Sequence, residues 1–241
     1  MEWIFDHRKA FMSEKLRHIA LIPDGNRRWA RSHGLPVVAG HQKVVYEVLP
    51  ALVDKCLELG IECFTVWCFS TENWGREQKE VDALLALMGS FYDRFAKKIA
   101  QQGVQLTFMG RRDNLPANLQ HDISRWLADT ATNDLMILNI AFNYGGHDDI
   151  LRAVNKILER GQYHEIGEQT LRDHLDTSVH DLPDPDLIIR PGGEKRLSGF
   201  MSWQSAYSEL FFDDKMMPDF GPDDLQRAID DFYARQRRYG K

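Results

Sequence analysis

The sequence predicts an α/β fold, a single domain in which a central six-stranded, mainly parallel sheet is flanked by helices. Three observations predict it. Short runs rich in β-branched and aromatic residues alternate with segments of helical apolar period from one end of the chain to the other. Those runs are nearly continuous in apolar character, as strands buried on both faces are. No linker, low-complexity tract or internal repeat divides the 241 residues, a length that suits one large α/β domain. Residues 1–17 read as a helical N-terminal extension and residues 18–241 as the domain itself.

In the extension, Trp3, Ile4, Phe5, Phe11 and Met12 are spaced as the apolar side of a short amphipathic helix. Docking onto the protein's own surface is one reading; peripheral contact with a membrane or a greasy substrate tail is the other. The strands fall at 18–22, 63–69, 104–109, 136–141, 186–189 and 209–212. Between the first two, residues 44–59 carry apolar side chains at 44, 45, 48, 49, 52, 53, 56 and 57, a helical stripe stopped by Gly60. The helix over 81–99 has a wider face, with Leu84, Leu85, Leu87, Met88, Phe91, Tyr92 and Phe95. Such a face either packs into the core on two sides or lines an internal hydrophobic cavity. Further helices are expected over 115–127 and 150–158, with a charged final helix over 223–238.

A formal net charge of −6 excludes a general nucleic-acid binder, which needs a surplus of Lys and Arg, but leaves room for a local cationic pocket. Cys56, Cys63 and Cys68 are odd in number, form no CxxC pair and lie inside apolar runs, which points to buried, reduced thiols. No stretch approaches the roughly 20 apolar residues of a membrane span, and the first residues are too charged for a signal peptide, so a cytoplasmic location is expected.

The residues with the most chemistry sit where strands end and loops lead into helices, the ligand edge of an open parallel sheet. After the first strand comes Pro23-Asp24-Gly25-Asn26-Arg27-Arg28-Trp29. Its Gly-Asn pair lets backbone approach a phosphate and its arginines offer charge-assisted hydrogen bonds. Asp24 among those cations suits a divalent metal or a held proton; a tight turn with a capping Asp is the plainer reading. After the second strand comes Ser70-Thr71-Glu72-Asn73-Trp74-Gly75-Arg76, a helix cap or a polar cluster that orients a diphosphate. Asn143-Tyr144-Gly145-Gly146 follows the fourth strand as a turn whose backbone can face a ligand. The run from Ile189 to Phe200 is the most specific: Arg190, Arg196 and Ser198 surround the double glycine Gly192-Gly193, three donors for one diphosphate.

With GH at 40–41, WQ at 203–204 and YSE at 207–209, these motifs resemble the cis-prenyltransferase, or undecaprenyl diphosphate synthase, family from about residue 18 to residue 238. The resemblance implies a Rossmann-like sheet, usually in a homodimer, acting on isoprenyl diphosphates with Mg²⁺. By it, Asp24 assists metal-dependent departure of the allylic diphosphate, which Gly25, Asn26 and Arg28 cradle with Arg27 and Trp29 beside them. His41, Ser70, Asn73, Trp74 and Arg76 complete the reacting centre, Arg190, Arg196 and Ser198 bind the second diphosphate, and Glu209 joins Asp24 in supporting the metal or serves the partner's site. The helix over 81–99 then helps wall a hydrophobic tunnel for the growing chain.

The sequence also departs from the family pattern. Val37 stands where Arg is usual, Val44 and His147 where Gly and Arg are, and Arg27, in place of a common Gly, can replace the missing arginine. Cys68, preceded by Trp67, stands where many polyprenyl-forming members carry a smaller Ala, which shortens the expected cavity. A regular synthase using isopentenyl diphosphate is the first expectation. A short-chain enzyme, or an irregular lavandulyl-type one that joins dimethylallyl units head to middle, is the alternative. A non-catalytic subunit of a heteromeric enzyme is disfavoured, because such partners typically lose the aspartate that Asp24 supplies.

Overall fold

The computed structural model describes residues 15–91, 95, 97–161 and 165–235. Six strands, β1 (His18–Leu21), β2 (Cys63–Ser70), β3 (Val104–Met109), β4 (Met136–Tyr144), β5 (Leu187–Pro191) and β6 (Glu209–Asp213), form one sheet in the order β3-β4-β2-β1-β5-β6. Every neighbouring pair is parallel. The order reverses at β1, so the crevice beyond the carboxyl ends of β2, β1 and β5 is the natural ligand site of this topology.

Alternate strand residues supply two cores. Ile19, Leu21, Phe64, Val66, Leu187 and Ile189 pack on one face, and Ala20, Ile22 and Ile188 on the other, where Phe200 and Met201 of the loop after β5 cover them. Each fully buried Leu, Ile or Phe contributes roughly 1.5–3 kcal/mol, and burial on both faces explains the unbroken apolar runs.

The helices are α1 (Asn26–Ser32), α2 (Val37–Lys43), α3 (Leu49–Glu58), α4 (Gln78–Phe91), α5 (Lys97–Gln101), α6 (Ala117–Thr130), α7 (Gly146–Arg160), α8 (Glu168–Arg172) and α9 (Pro222–Ala234). The stripe over 44–59 is helical, but Val44–Val48 widens into a π turn between α2 and α3. Pro50, in the first turn of α3, has no amide hydrogen for the carbonyl four residues earlier, and its ring crowds that carbonyl, which favours the wider turn. Helix α2, begun by Pro36 and rich in valine, has no clear helical signal in sequence. The helix expected over 81–99 is represented by α4 and α5; Tyr92 lies outside the described residues, as do residues 1–14 of the extension and 236–238 of the last expected helix.

Strand β4 runs three residues beyond its expected end. Its pairing with β2 passes through an irregularity in which Trp67 registers with Ala141 and Phe69 with Phe142, leaving Cys68 as the extra residue of a bulge. Polar Asn143 hides this continuation in the sequence.

A buried polar chain crosses the sheet. His18 donates from Nδ1 to the Pro183 carbonyl (2.7 Å) and accepts at Nε2 from the Thr65 hydroxyl (2.7 Å), which accepts from Asn139 (3.2 Å), which accepts from Thr107 (3.0 Å). Burial pushes the His18 imidazole down to about 4. The unfolded chain therefore takes up this proton first, so the stability that neutral His18 contributes is present above pH 6.5 and is lost as pH falls towards 4. Urea unfolding between pH 7 and pH 4 is expected to show a loss of about 3 kcal/mol from this residue, at ~1.4 kcal/mol per unit. His18→Asn should flatten that slope; an unchanged slope would assign it to other groups.

Candidate active site

The site begins with a neighbour relation in the sheet. Ile22 N–H donates to the Ile189 carbonyl at 2.9 Å, so the residues that follow β1 and those that end β5 emerge side by side. Asp24 and Arg190 meet there. Arg190 is buried, and its Nη2 donates to Asp24 Oδ2 at 2.9 Å while Nη1 donates to Ser198 Oγ at 2.9 Å and to the Arg196 carbonyl. The other Asp24 oxygen accepts from Gly25 N–H at 2.6 Å. Arg28 reaches across from α1, donating to the Gly192 carbonyl at 2.6 Å with Asp24 Oδ1 at 3.5 Å. Gly192 is required there: its φ is +102°, and a Cβ would stand 3.0 Å from the Asp24 carbonyl carbon.

The end of β2 contributes a turn of 3₁₀ helix, Thr71–Gly75, in which Asn73 Oδ1 accepts from Ser70 N–H at 3.1 Å. The cap expected of Ser70 and Asn73 is therefore present, and both side chains also line the cavity described below. Arg76 donates to Glu80 Oε1 at 2.8 Å, and Arg27 Nε lies 3.6 Å from the other oxygen of the same carboxylate. His41 faces this group from α2. Burial first, then the charges of Arg76 and Arg27, push its imidazole down to about 4, so it is neutral near pH 7. Its Nε2 is buried with no hydrogen-bond partner among the described residues, as is Asn26 Oδ1, and both residues line the mouth.

Beneath these groups lies a cavity of about 250 Å³. Asp24, Asn26, His41, Ser70, Asn73, Arg76, Arg190 and Ser198 line its polar end. Its depth is apolar: Val45 and Leu49 from the π turn and α3, Leu84, Leu87, Met88 and Phe91 from α4, and Ile140 and Phe142 from β4. Of the two readings of the wide face over 81–99, lining a cavity accounts for these four α4 residues. The bulge at Cys68 sets that residue next to Trp67 in the same wall.

Several sequence candidates stand outside this cavity. Trp29 is a buried anchor: its indole N–H donates to Asp219 at 2.8 Å, and its ring stacks on His33 with centroids 4.2 Å apart. Trp74 donates to Asn143 Oδ1 at 2.8 Å, tying the β2 turn to the end of β4. The Arg196 guanidinium is exposed and held by Glu194 at 2.5 Å, so only its carbonyl reaches Arg190 and the trio of donors does not converge. Arg27 lines an adjoining pocket together with Val37 and His41.

Glu209 stands apart from Asp24 within this chain. It opens β6 in register with Leu187, at the amino end of the sheet, and its carboxylate accepts from Arg235 at 2.7 Å. Parallel strands place it about 10 Å back from the register of Arg190, at ~3.3 Å per residue, so Asp24 and Glu209 do not form one metal site within this chain. Among the described residues no three His, Cys, Asp or Glu side chains come together as a metal cage. One carboxylate at a polar mouth, beside an unpartnered amide oxygen, fits Mg²⁺, which commonly binds one or two carboxylates, several waters and the substrate's phosphates.

Glu80 escapes sequence reasoning because a charge pair four residues apart is common on solvated helix faces.

The comparisons with known proteins bear on a site of this shape. The undecaprenyl diphosphate synthase family model matches residues 22–240. The chain belongs to this prenyltransferase family. It is accordingly a prenyl-transferring enzyme of isoprenoid biosynthesis. An isoprenyl transferase of Aquifex aeolicus is 44% identical over 231 residues, covering 95% of this chain and 98% of its own. One from Thermotoga maritima is 45% identical over 227 residues, covering 93% and 96%. Among solved structures, a lavandulyl diphosphate synthase from Lavandula x intermedia, in complex with dimethylallyl diphosphate, superposes on the prenyltransferase with a TM-score of 0.90 at 37% identity, covering 93% of this chain and 98% of its own. A probable undecaprenyl diphosphate synthase from Campylobacter jejuni gives 0.78 at 31% identity, covering 94% and 99%.

Proposed function

We propose that this cis-prenyltransferase condenses an allylic prenyl diphosphate with isopentenyl diphosphate in a Mg²⁺-dependent reaction. The observation that carries the reading is the Asp24–Arg190 pair at the mouth of an apolar cavity: charge for a diphosphate at one end, room for its hydrocarbon tail at the other. The tail gains roughly 0.8 kcal/mol per buried CH₂. Asn26, Arg28, His41 and Arg76 bind the allylic diphosphate, and Arg27 supplies from the shared pocket the cation that Val37 does not. Arg190 and Ser198 hold the second diphosphate, and Arg196 joins them by leaving Glu194.

When bound, Mg²⁺ supplies neutralisation of the leaving diphosphate's charge. Around it, Asp24 and the arginines stabilise what accumulates as the allylic C–O bond breaks. The second substrate's double bond attacks the allylic cation, a C–C bond forms and a proton is lost. Ser70 and Asn73 orient the diphosphate that takes the proton, or relay it. A homodimer accords with the family resemblance, and strand β6, half-buried along its whole length at the sheet edge, offers a surface for it. Cys56, Cys63 and Cys68, all free, favour the cytoplasm. No described helix is long and apolar enough to cross a membrane.

A second reading, a short-chain or irregular lavandulyl-type synthase, is favoured by the cavity itself. An apolar cavity of about 150 Å³ accommodates benzene, and this one measures about 250 Å³ with its polar end included, which leaves room for a short hydrocarbon tail. The test is product analysis with Mg²⁺ and labelled isopentenyl diphosphate, offered beside dimethylallyl, geranyl or farnesyl diphosphate, with a dimethylallyl-only reaction alongside. Labelled products lost on chelation of the metal are expected, and their length decides between long and short chains. A C10 product from dimethylallyl diphosphate alone makes the enzyme irregular; no consumption of any prenyl diphosphate overturns the proposal. Cys68→Ala is expected to shift the products longer, because the bulge sets this side chain in the wall. An identical distribution would remove Cys68 as a limit.

A further inference from the structure

We propose that Asp213 is a positioning residue for the diphosphate end of the cavity, holding the Gly192-Gly193 turn through both its carbonyl and its carboxylate. This rests on the reading of Arg190 and Ser198 as a diphosphate site.

Asp213 ends β6 in register with Pro191, so it stands beside the chain as that chain leaves β5 for the double glycine. The Asp213 carbonyl accepts from Gly193 N–H at 2.8 Å, and the Lys215 carbonyl accepts from Gly192 N–H at 2.8 Å. Both glycines are left-handed, with φ of +102° and +79°, and these two bonds hold a segment that has little preference of its own. The same short run meets the other side of the mouth. Met217 N–H donates to the Asp24 carbonyl at 2.9 Å, and a Cβ on Gly25 would stand 2.9 Å from the Met216 Cβ. Residues 213–217 are thus a shelf under the two loops that meet at Asp24 and Arg190.

The Asp213 side chain sets the shape of that shelf. Its Oδ1 accepts from Lys215 N–H at 2.7 Å, closing a turn over its own backbone, and that turn carries the carbonyl that Gly192 meets. Its Oδ2 accepts from Arg227 of α9. Arg227 Nη1 also stands 3.0 Å from Asp224 Oδ1, and Lys215 Nζ donates to both Asp224 oxygens at 2.6 and 2.8 Å. Four alternating charges therefore close a ring between the end of β6 and a helix whose Leu225, Ala228 and Ile229 belong to the core. Isolated surface ion pairs contribute little. Here the side chains of Asp213 and Asp224 are only 11% and 6% exposed, so solvent does not replace their cations. Asp213 does not line the cavity, so its effect on a diphosphate passes through the shelf: a displacement reaches Gly192, whose carbonyl accepts from Arg28 at 2.6 Å, and Arg190 two residues earlier.

Calorimetric binding of inorganic diphosphate with Mg²⁺ to wild type, Asp213→Ala and Asp213→Asn tests this, with melting temperatures measured alongside. Asp213→Ala is expected to bind about tenfold more weakly at a melting temperature close to that of wild type, and Asp213→Asn, which keeps an oxygen for Lys215 N–H, to recover most of that affinity. Equal binding in Asp213→Ala, a loss that Asp213→Asn does not recover, or a loss that only follows a lowered melting temperature would overturn the proposal. If Asp213→Ala does not fold, Arg227→Met decides, with about threefold weaker binding expected and unchanged binding against the proposal. If wild type consumes no prenyl diphosphate and binds no inorganic diphosphate, the functional reading of the site fails separately. Hydrogen–deuterium exchange at Gly192 and Gly193 then decides: exchange about tenfold faster in the folded variant supports the positioning role, and unchanged exchange overturns it.

Discussion

Asp24→Ala is expected to lower turnover by about 10²–10³-fold or more while the protein stays folded. The carboxylate stands at the polar end of the cavity, where in the proposed reaction the leaving diphosphate gathers charge as the allylic bond breaks. It is also the residue best placed there to hold Mg²⁺. Its loss removes that support and leaves the buried Arg190 guanidinium without one of its partners, a further cost of ~1–3 kcal/mol in stability. Asp24 lies in a loop rather than the core, so the sheet and its packing persist. Turnover of the purified variant, measured beside its circular dichroism and melting temperature, checks both halves. Asp24→Asn separates them further, because the amide keeps a hydrogen bond to Arg190 but not the charge. Near-normal turnover in either variant would remove Asp24 from the chemistry.

The fold was largely legible because burial on both faces writes each strand as an apolar run, and the structure has strands at all six expected places with parallel pairing throughout. What stayed hidden is local. Cys68 reads as one more strand residue, since a bulge depends on the register of the partner strand, which no single segment encodes. Helix α2 and the π turn after it follow from Pro36 and Pro50 acting on a valine-rich segment whose own preference is extended.

The site was legible at strand ends for the same topological reason, but the contacts of two of its residues are not written in sequence proximity. Arg196, six residues from Arg190, turns outward to Glu194, whereas Asp24, from a distant part of the chain, is the residue Arg190 meets. Glu209 lies at the end of its strand away from the Asp24 of its own chain, which only the parallel register of β5 and β6 reveals. Asn143-Tyr144-Gly145-Gly146 reads as a ligand-facing turn, yet Gly146 instead donates to a neighbouring loop.

Arg190→Lys should cost about a hundredfold in kcat/KM, although it preserves the charge. The argument is geometric. Arg190 uses the two ends of one planar fork, Nη2 on Asp24 and Nη1 on Ser198 and the Arg196 carbonyl, so it fixes the separation between the β1 loop and the loop after β5. An ammonium is a point donor on a flexible stem and cannot hold both sides at those distances. Losing two charge-assisted hydrogen bonds at the lower end of ~1.5–3 kcal/mol each, or one at the upper end, corresponds to about 10²-fold if the lost contacts act in the transition state. The side chain is only 6% exposed, so solvent does not replace the lost partners. Ser198→Ala removes one arm of the same fork and should cost less, and combining it with Arg190→Lys should cost less than the sum of the two, since both disturb one contact. If Arg190→Lys retains kcat/KM within about threefold of wild type, charge alone suffices at this position, and the bridging role of the guanidinium is wrong.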